Sequence, residues 1–167
     1  IAMDSPLRYL ARTLKARGEV SPSVTVLVWQ LFLIVLLIEF WVASISLSNS
    51  SMGLAQFLLF LLLPFGAMVL SSLSSPTVEA GVDQYAEFTA EKLPFFLVLA
   101  ALPVISVVRE LVAGESIPLD ADLVYRLLLL VGAVVGIAIR SPRAATVHAL
   151  VMLALMTTYL FDVYGTV

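Results

Sequence analysis

The chain has 167 residues, of which 61% are hydrophobic and 13% charged, and its mean hydropathy is +1.07. Because a soluble domain carries roughly 45–50% apolar and about 25% charged residues, this composition excludes a water-soluble fold and indicates an integral membrane protein. The small net charge of −3 excludes nucleic-acid binding, which needs a basic face, and the absence of cysteine excludes disulfides and thiolate metal sites.

Residues 1–22 are basic and amphipathic. In the stretch "MDSPLRYLARTLKARGEV", Leu7, Leu10 and Leu14 fall on one stripe of a helix with arginines around them, as in helices that lie along a membrane surface. The stretch lacks the compact apolar core and cleavage site of a signal peptide. It is therefore predicted to form either an arm on the membrane surface or the end of an earlier span that precedes this sequence.

Five apolar segments follow the arm, and each is long enough to cross a membrane, which takes about 20 residues at a rise of 1.5 Å per residue. The second and third contain Pro64 and Pro103, where a kink is tolerated if neighbouring helices satisfy the freed backbone groups. The fourth and fifth are near the lower limit of length, so they are expected to lie steeply in the membrane or to draw on their flanks, and a tight hairpin at residues 141–143 separates them. We predict an all-α polytopic transmembrane bundle over residues 23–167, with spans at about 23–47, 54–73, 93–112, 123–139 and 144–162.

The lysines and arginines outside the spans predict the orientation of the bundle. With five alternating crossings, all of them fall on one side of the membrane, and an excess of such cations marks the cytoplasmic side. Residues 1–22 and 74–92 are therefore predicted to be cytoplasmic, with the C-terminus on the opposite side. The cations in question are Arg8, Arg12, Lys15, Arg17, Lys92, Arg140 and Arg143.

The loop "SSPTVEAGVDQYAEFTAEK" between the second and third spans is predicted to contain a short interfacial helix. Its acids Glu79, Asp83, Glu87 and Glu91 recur every four residues and so share one face. That face is either simply solvated or a docking strip for a basic partner, such as the arm of the same chain on the same side of the membrane.

Charged residues within or capping the spans are predicted to gather in one leaflet, opposite the arm. An unpaired charge at mid-bilayer costs about 2.5–3.5 kcal/mol on insertion scales, so the deepest member, Glu39, is expected to be paired or protonated. Arg126 is the first candidate partner, because a guanidinium can hold a carboxylate with two hydrogen bonds. The pair would be a structural ion pair, a proton or ion relay, or a substrate-binding charge. The predicted polar cluster is Glu39, Arg109, Glu110, Arg126 and Asp162.

Two further features of the last two spans are candidates for a role. His148 shares a helix face with Met152 and Tyr159, and it is predicted to be a packed, hydrogen-bonded side chain or, alternatively, a proton entry towards Glu39. Gly132 and Gly136 have the small-xxx-small spacing that lets helices approach closely, and we predict that they form a helix-packing face. Metal-ligand, nucleotide-binding and catalytic-serine patterns are absent, so no metal, cofactor or catalytic residue is predicted.

Several polar landmarks follow one another in a characteristic order: "LARTLKARGEV", a span with "EFW", the segment "VDQYAEFTAEKLPFF", the hairpin "IRSPRAATVHA" and the final "YLFDVYG". This order resembles a group of short, uncharacterised bacterial inner-membrane proteins whose members begin with one more span. The resemblance implies a location in the bacterial inner (cytoplasmic) membrane. Since that group has no established activity, it implies no catalytic residues.

The sequence therefore predicts a non-catalytic integral membrane protein, an accessory or scaffold subunit of a larger membrane complex. Its expected partners are the lipid bilayer and other membrane protein subunits. The alternative is a small transporter or channel with Glu39 and Arg126 as its polar site, and a membrane enzyme ranks third.

Overall fold

The computed structural model describes residues 4–15, 23–47, 53–79, 81–114 and 117–164, and within these ranges the chain forms seven α-helices and no strand. The predicted all-α fold is therefore confirmed. Part of the predicted arm, including Arg17, lies outside the described residues. The helices are α1 (Asp4–Lys15), α2 (Val24–Leu47), α3 (Leu54–Leu73), α4 (Gln84–Ala90), α5 (Lys92–Ala113), α6 (Ala121–Ala138) and α7 (Pro142–Tyr164).

Five of these helices, α2, α3, α5, α6 and α7, are long and apolar enough to cross a membrane. The chain is thus an integral membrane protein with five candidate spans, as the hydropathy pattern predicts. Pro64 lies inside α3 and Pro103 inside α5, and both helices continue past their proline. Asp120 caps α6 by accepting a hydrogen bond from the backbone N–H of Leu123 (3.1 Å).

The five long helices form a closed ring. In chain order each packs on the next, and α7 packs back on α2. Half of the apolar stretch of α2 is buried, compared with 11% for α6. The first span therefore supplies much of the interior of the bundle, whereas α6 faces mostly outwards.

A cluster of aromatic side chains fills the middle of the ring. The ring centroid of Trp29 on α2 lies 5.2 Å from that of Phe32, 5.0 Å from that of Phe95 and 5.4 Å from that of Phe96, all edge to face. Such pairs contribute about 0.5–1.5 kcal/mol each beyond the area that they bury. All four side chains are buried, and we call this group the aromatic plug.

Close helix contacts depend on glycine at three places in the ring. A Cβ atom on Gly132 would lie 2.2 Å from Met152 Sδ of α7, and one on Gly136 would lie 2.3 Å from Phe96 Cε1 of α5. On α3, a Cβ on Gly66 would come within 2.5 Å of Leu102 Cδ2. Both glycines of α6 thus face its neighbours within the ring.

Helices α1 and α4 lie at the end of the bundle where α2, α5 and α7 begin, which we call the arm end. Tyr9 of α1 donates a hydrogen bond to Gln84 Oε1 of α4 (2.6 Å), which is a contact between uncharged groups. Lys92 donates to the carbonyl of Ile139, just after the end of α6.

Two acids of the predicted docking strip are engaged within their own loop. Asp83 Oδ1 accepts from the backbone N–H groups of Tyr85 (3.0 Å) and Ala86 (3.1 Å) and so caps α4. Glu87 accepts from the backbone N–H of Thr77 (2.7 Å). These two carboxylates order the loop, which reduces what the strip can offer to a basic partner.

Candidate functional site: a charged cavity between the spans

A cavity of about 110 Å³ lies inside the ring, towards the end of the bundle opposite the arm end, and all five spans line it. It has room for a few water molecules or a small polar group. Its floor is apolar and adjoins the aromatic plug through Phe32, Leu99 and Met156. We call it the charged cavity, after the lining residues Glu39, Arg109, Asp122 and Arg126.

Arg126 is the centre of the charge network around this cavity. Its Nε donates to Asp122 Oδ1 (3.1 Å), and its Nη2 donates to Asp122 Oδ2, which forms a fork one helical turn back along α6. The same Nη2 lies 2.7 Å from Glu110 Oε1 of α5. With 11% of the Arg126 side chain exposed, this cation links α5 to α6 in a largely buried setting.

Asp122 receives a further hydrogen bond from the last span. The Tyr159 hydroxyl of α7 donates to Asp122 Oδ1 (2.9 Å), and the Tyr159 ring packs on that of Tyr125 with centroids 5.4 Å apart. Tyr125 in turn donates to Asp162 Oδ2 (2.5 Å). The network therefore joins α5, α6 and α7.

Arg109 holds a looser place at the cavity wall. Its Nη2 lies 3.7 Å from Glu110 Oε1, a full ångström longer than the contact of the same carboxylate with Arg126. Glu110 therefore lies closer to Arg126 on the next helix than to its chain neighbour Arg109.

Glu39 lies deep in the same cavity, with 8% of the residue exposed. The face of α2 that carries Glu39 lines the same cavity as Arg109 and Arg126. The proposed pairing of Glu39 with Arg126 stays a prediction, since the two ion pairs described above for Arg126 involve Glu110 and Asp122.

The structure differs from the predicted polar cluster at two residues, Asp162 and Asp122. The predicted cluster member Asp162 is exposed, and it contacts the network through a hydrogen bond from Tyr125. Asp122, absent from the predicted cluster, makes the fork with Arg126. Its position four residues before Arg126 is the signal that could identify it, because residues at i and i+4 are neighbours on a helix.

His148 lies away from the charged cavity and against the aromatic plug. Its Nε2 is 2.9 Å from the carbonyl oxygen of Gly132, and its ring centroid lies 5.8 Å from that of Trp29 and 5.7 Å from that of Phe96. Along α7, it is separated from Tyr159 by roughly 16 Å at 1.5 Å per residue. Its position is that of a packed, hydrogen-bonded side chain.

Comparisons with models of known protein families, with curated proteins and with solved structures give no match. The resemblance to short bacterial inner-membrane proteins, together with the predictions that concern catalysis, cofactors and metals, stays a prediction. Function is therefore argued from the geometry of the bundle.

Proposed function

We propose that the chain is a non-catalytic membrane subunit that acts as an accessory or scaffold within a larger membrane assembly. The observation that supports this proposal best is the aromatic plug, which fills the ring between the charged cavity and the arm end. An interior closed in this way favours a helix bundle that presents its outer faces to partners over one that passes a solute through its centre.

The charge network around Arg126 supports the same function. Its guanidinium is held by Glu110 and Asp122, and Asp122 is held in addition by Tyr159. Charges that satisfy one another across three helices fix the register of those helices, which is a structural role.

The outer face of α6 is the surface that we propose for a partner helix. Among the five spans α6 has the smallest buried share, and its large exposed side chains are Val and Leu. Lipid can cover such a face, and so can a second membrane protein. These large exposed side chains are Val124, Leu127, Leu128, Val131, Val134 and Val135.

Purification of the full chain in a mild detergent tests the accessory role. We expect a complex heavier than the 18.1 kDa chain, with a partner at fixed stoichiometry. Val131→Trp and Val134→Trp should release the partner because the larger ring prevents close helix approach, whereas Leu62→Trp on the exposed face of α3 should retain it. A monodisperse monomer for the wild-type chain would contradict the accessory role.

A second candidate function, a small transporter or channel, is favoured by one observation: Glu39 and Arg126 line one cavity with room for water. In proteoliposomes, the transport function predicts a flux that depends on pH and disappears in Glu39→Gln. The accessory function predicts that this variant loses stability in detergent while the background flux of the vesicles is unchanged.

The location and orientation form part of the proposal: a bacterial inner membrane, with the arm end in the cytoplasm. Because the chain has no cysteine, single-cysteine variants report topology without background. Leu119→Cys, in an exposed stretch before α6, should react with an impermeant maleimide in intact cells. Arg140→Cys, in the hairpin before α7, should react only after the membrane is opened. The reverse pattern would invert the orientation.

A further inference from the structure

A groove of about 680 Å³ lies at the arm end, outside the ring interior and remote from the charged cavity. The first residues of α2 and α7 form two of its walls, and Glu79, residues 81–83 and the start of α4 form the third. We call it the polar groove, and its features used below are Ser23, Thr25, Gln84, Arg143 and Thr146.

Two helix N-termini meet at this groove in a fixed arrangement. Helix α2 starts with the bond from Leu27 N–H to the Ser23 carbonyl (3.0 Å), and α7 starts with the bond from Ala145 N–H to the Ser141 carbonyl (2.9 Å). The hydroxyl oxygens of Thr25, in the first turn of α2, and Thr146, which begins the second turn of α7, are 2.7 Å apart and hydrogen-bonded. This contact holds the N-terminal ends of the two helices close together, and the partial positive charge of a helix N-terminus favours an anion.

A buried donor without a partner lines the same groove. Gln84 is 2% exposed, and its Oε1 accepts from the Tyr9 hydroxyl (2.6 Å) and from the Ser23 N–H (3.2 Å). Since the Ser23 N–H can only donate, the amide cannot be flipped, and Nε2 is the atom left over. Within the described residues this Nε2 has no hydrogen-bond partner.

Leaving such a donor unsatisfied costs about 1–3 kcal/mol. An acceptor oxygen in the polar groove would remove that penalty. The unsatisfied amide is thus an observation independent of the helix N-termini, and it points to a ligand with the same chemistry.

The charges of the groove are mixed. Arg143 is an exposed cation at the start of α7. Asp83 is engaged as the cap of α4, whereas Glu79 is an exposed carboxylate on the loop wall. A ligand that carries an anion and a cation a few bonds apart would match Arg143 and Glu79 together.

We propose that the polar groove binds the headgroup of a membrane phospholipid, with phosphoethanolamine as the class that matches both signs. The phosphate oxygens accept from the first turns of α2 and α7, from Gln84 Nε2 and from Arg143, and the ammonium group lies beside Glu79. The level is right for a lipid because the spans begin here. Exposed Val24 and Val147 continue the apolar surface from the groove into the membrane, where acyl chains would lie. The proposal goes beyond the accessory role and does not depend on it.

Native mass spectrometry of the full chain in detergent, with phosphatidylethanolamine, phosphatidylglycerol and phosphatidylcholine of matched acyl chains, tests the proposal. We expect retention of phosphatidylethanolamine, reduced about tenfold in Arg143→Gln and in Gln84→Glu, since hydrogen bonds to charged groups are the strong ones. Gln84→Glu keeps the Oε1 acceptor for Tyr9 and Ser23 and replaces only the NH₂ donor. Arg140→Gln, which removes a charge from the same hairpin outside the groove, should leave retention unchanged.

Two further measurements identify the source of the phosphate group and test the role of Glu79. Inorganic phosphate and glycerophosphoethanolamine, added as competitors, should not displace the lipid; displacement by inorganic phosphate alone would overturn the lipid assignment. Glu79→Gln should abolish the preference for phosphatidylethanolamine over phosphatidylglycerol while total lipid retention persists. Equal retention by wild type, Arg143→Gln and Gln84→Glu, or an equal loss in Arg140→Gln, would overturn the site itself.

Discussion

Arg126→Met is the most informative single change at the charged cavity. It preserves most of the side-chain volume and removes the cation that links Glu110 of α5 to Asp122 of α6. Two carboxylates then remain close together, with 13% and 28% of their side chains exposed.

The size of the loss follows from this burial. Breaking a buried ion pair by removing one partner costs about 3–5 kcal/mol, because the other charge is left uncompensated. Asp122 is the more exposed acid and keeps the hydrogen bond from Tyr159, so we expect a value near the lower limit, about 3 kcal/mol. Arg109→Met removes only a long contact of 3.7 Å and leaves Glu110 paired with Arg126, so it should cost less, about 1 kcal/mol.

Steric trapping or reversible unfolding of the full chain in bicelles measures the free energy of unfolding of each variant. Glu110→Gln added to Arg126→Met should recover part of the loss, because it removes one uncompensated charge. Equal destabilisation by Arg109→Met and Arg126→Met, or a double variant less stable than Arg126→Met alone, would refute the assignment of Arg126 as the centre of the network.

Two further predictions concern the ring and the arm. Gly136→Val should lower the free energy of unfolding by about 2 kcal/mol, since overpacking a core costs about 1–3 kcal/mol and the new side chain meets Phe96. Val135→Leu, on the exposed face next to it, should leave the free energy of unfolding nearly unchanged in the same assay. Tyr9→Phe should weaken the docking of α1 by about 1 kcal/mol through loss of the bond to Gln84, seen as faster amide exchange in α1. Burial raises the pKa of Tyr9 above its ordinary value, so the neutral phenol is favoured in the docked state. The contribution of the Tyr9 hydroxyl to the docking of α1 is therefore complete below about pH 10 and is lost as the pH rises through the raised pKa. If amide exchange in α1 depended on alkaline pH in the same way in wild type and in Tyr9→Phe, this assignment would be contradicted.

The sequence predicts the helices well because membrane spans are set by composition and length alone. It does less well at their ends, which depend on local capping. Helix α6 begins at Ala121 rather than at 123, because Asp120 caps it. That shift brings Asp122 into the first turn of the helix, and so the acid that holds Arg126 falls outside a span predicted from hydropathy.

The arrangement of the interior could not be predicted in the same way. Apart from Gln30, Glu39 and a few hydroxyl residues, helix α2 is apolar on all sides, so periodicity does not distinguish a face for the ring interior from a face for lipid. The contacts of Trp29 with Phe95 and Phe96 join parts of the chain more than 60 residues apart. Only the three-dimensional packing of the ring decides them.

The ring of helices cannot close until α7 has been synthesised, because α7 packs on α2. Proteins generally begin to fold from the N-terminus as they are made, yet α2 finds one of its two ring neighbours, α7, only after α3, α5 and α6 have been made. Until then the buried hydroxyl of Thr25 lacks its partner Thr146, and part of the surface of α2 has only lipid or the insertion machinery to cover it. A nascent chain interrupted before Pro142 would thus present an open bundle with a polar seam, a form that membrane quality control can distinguish from the finished protein.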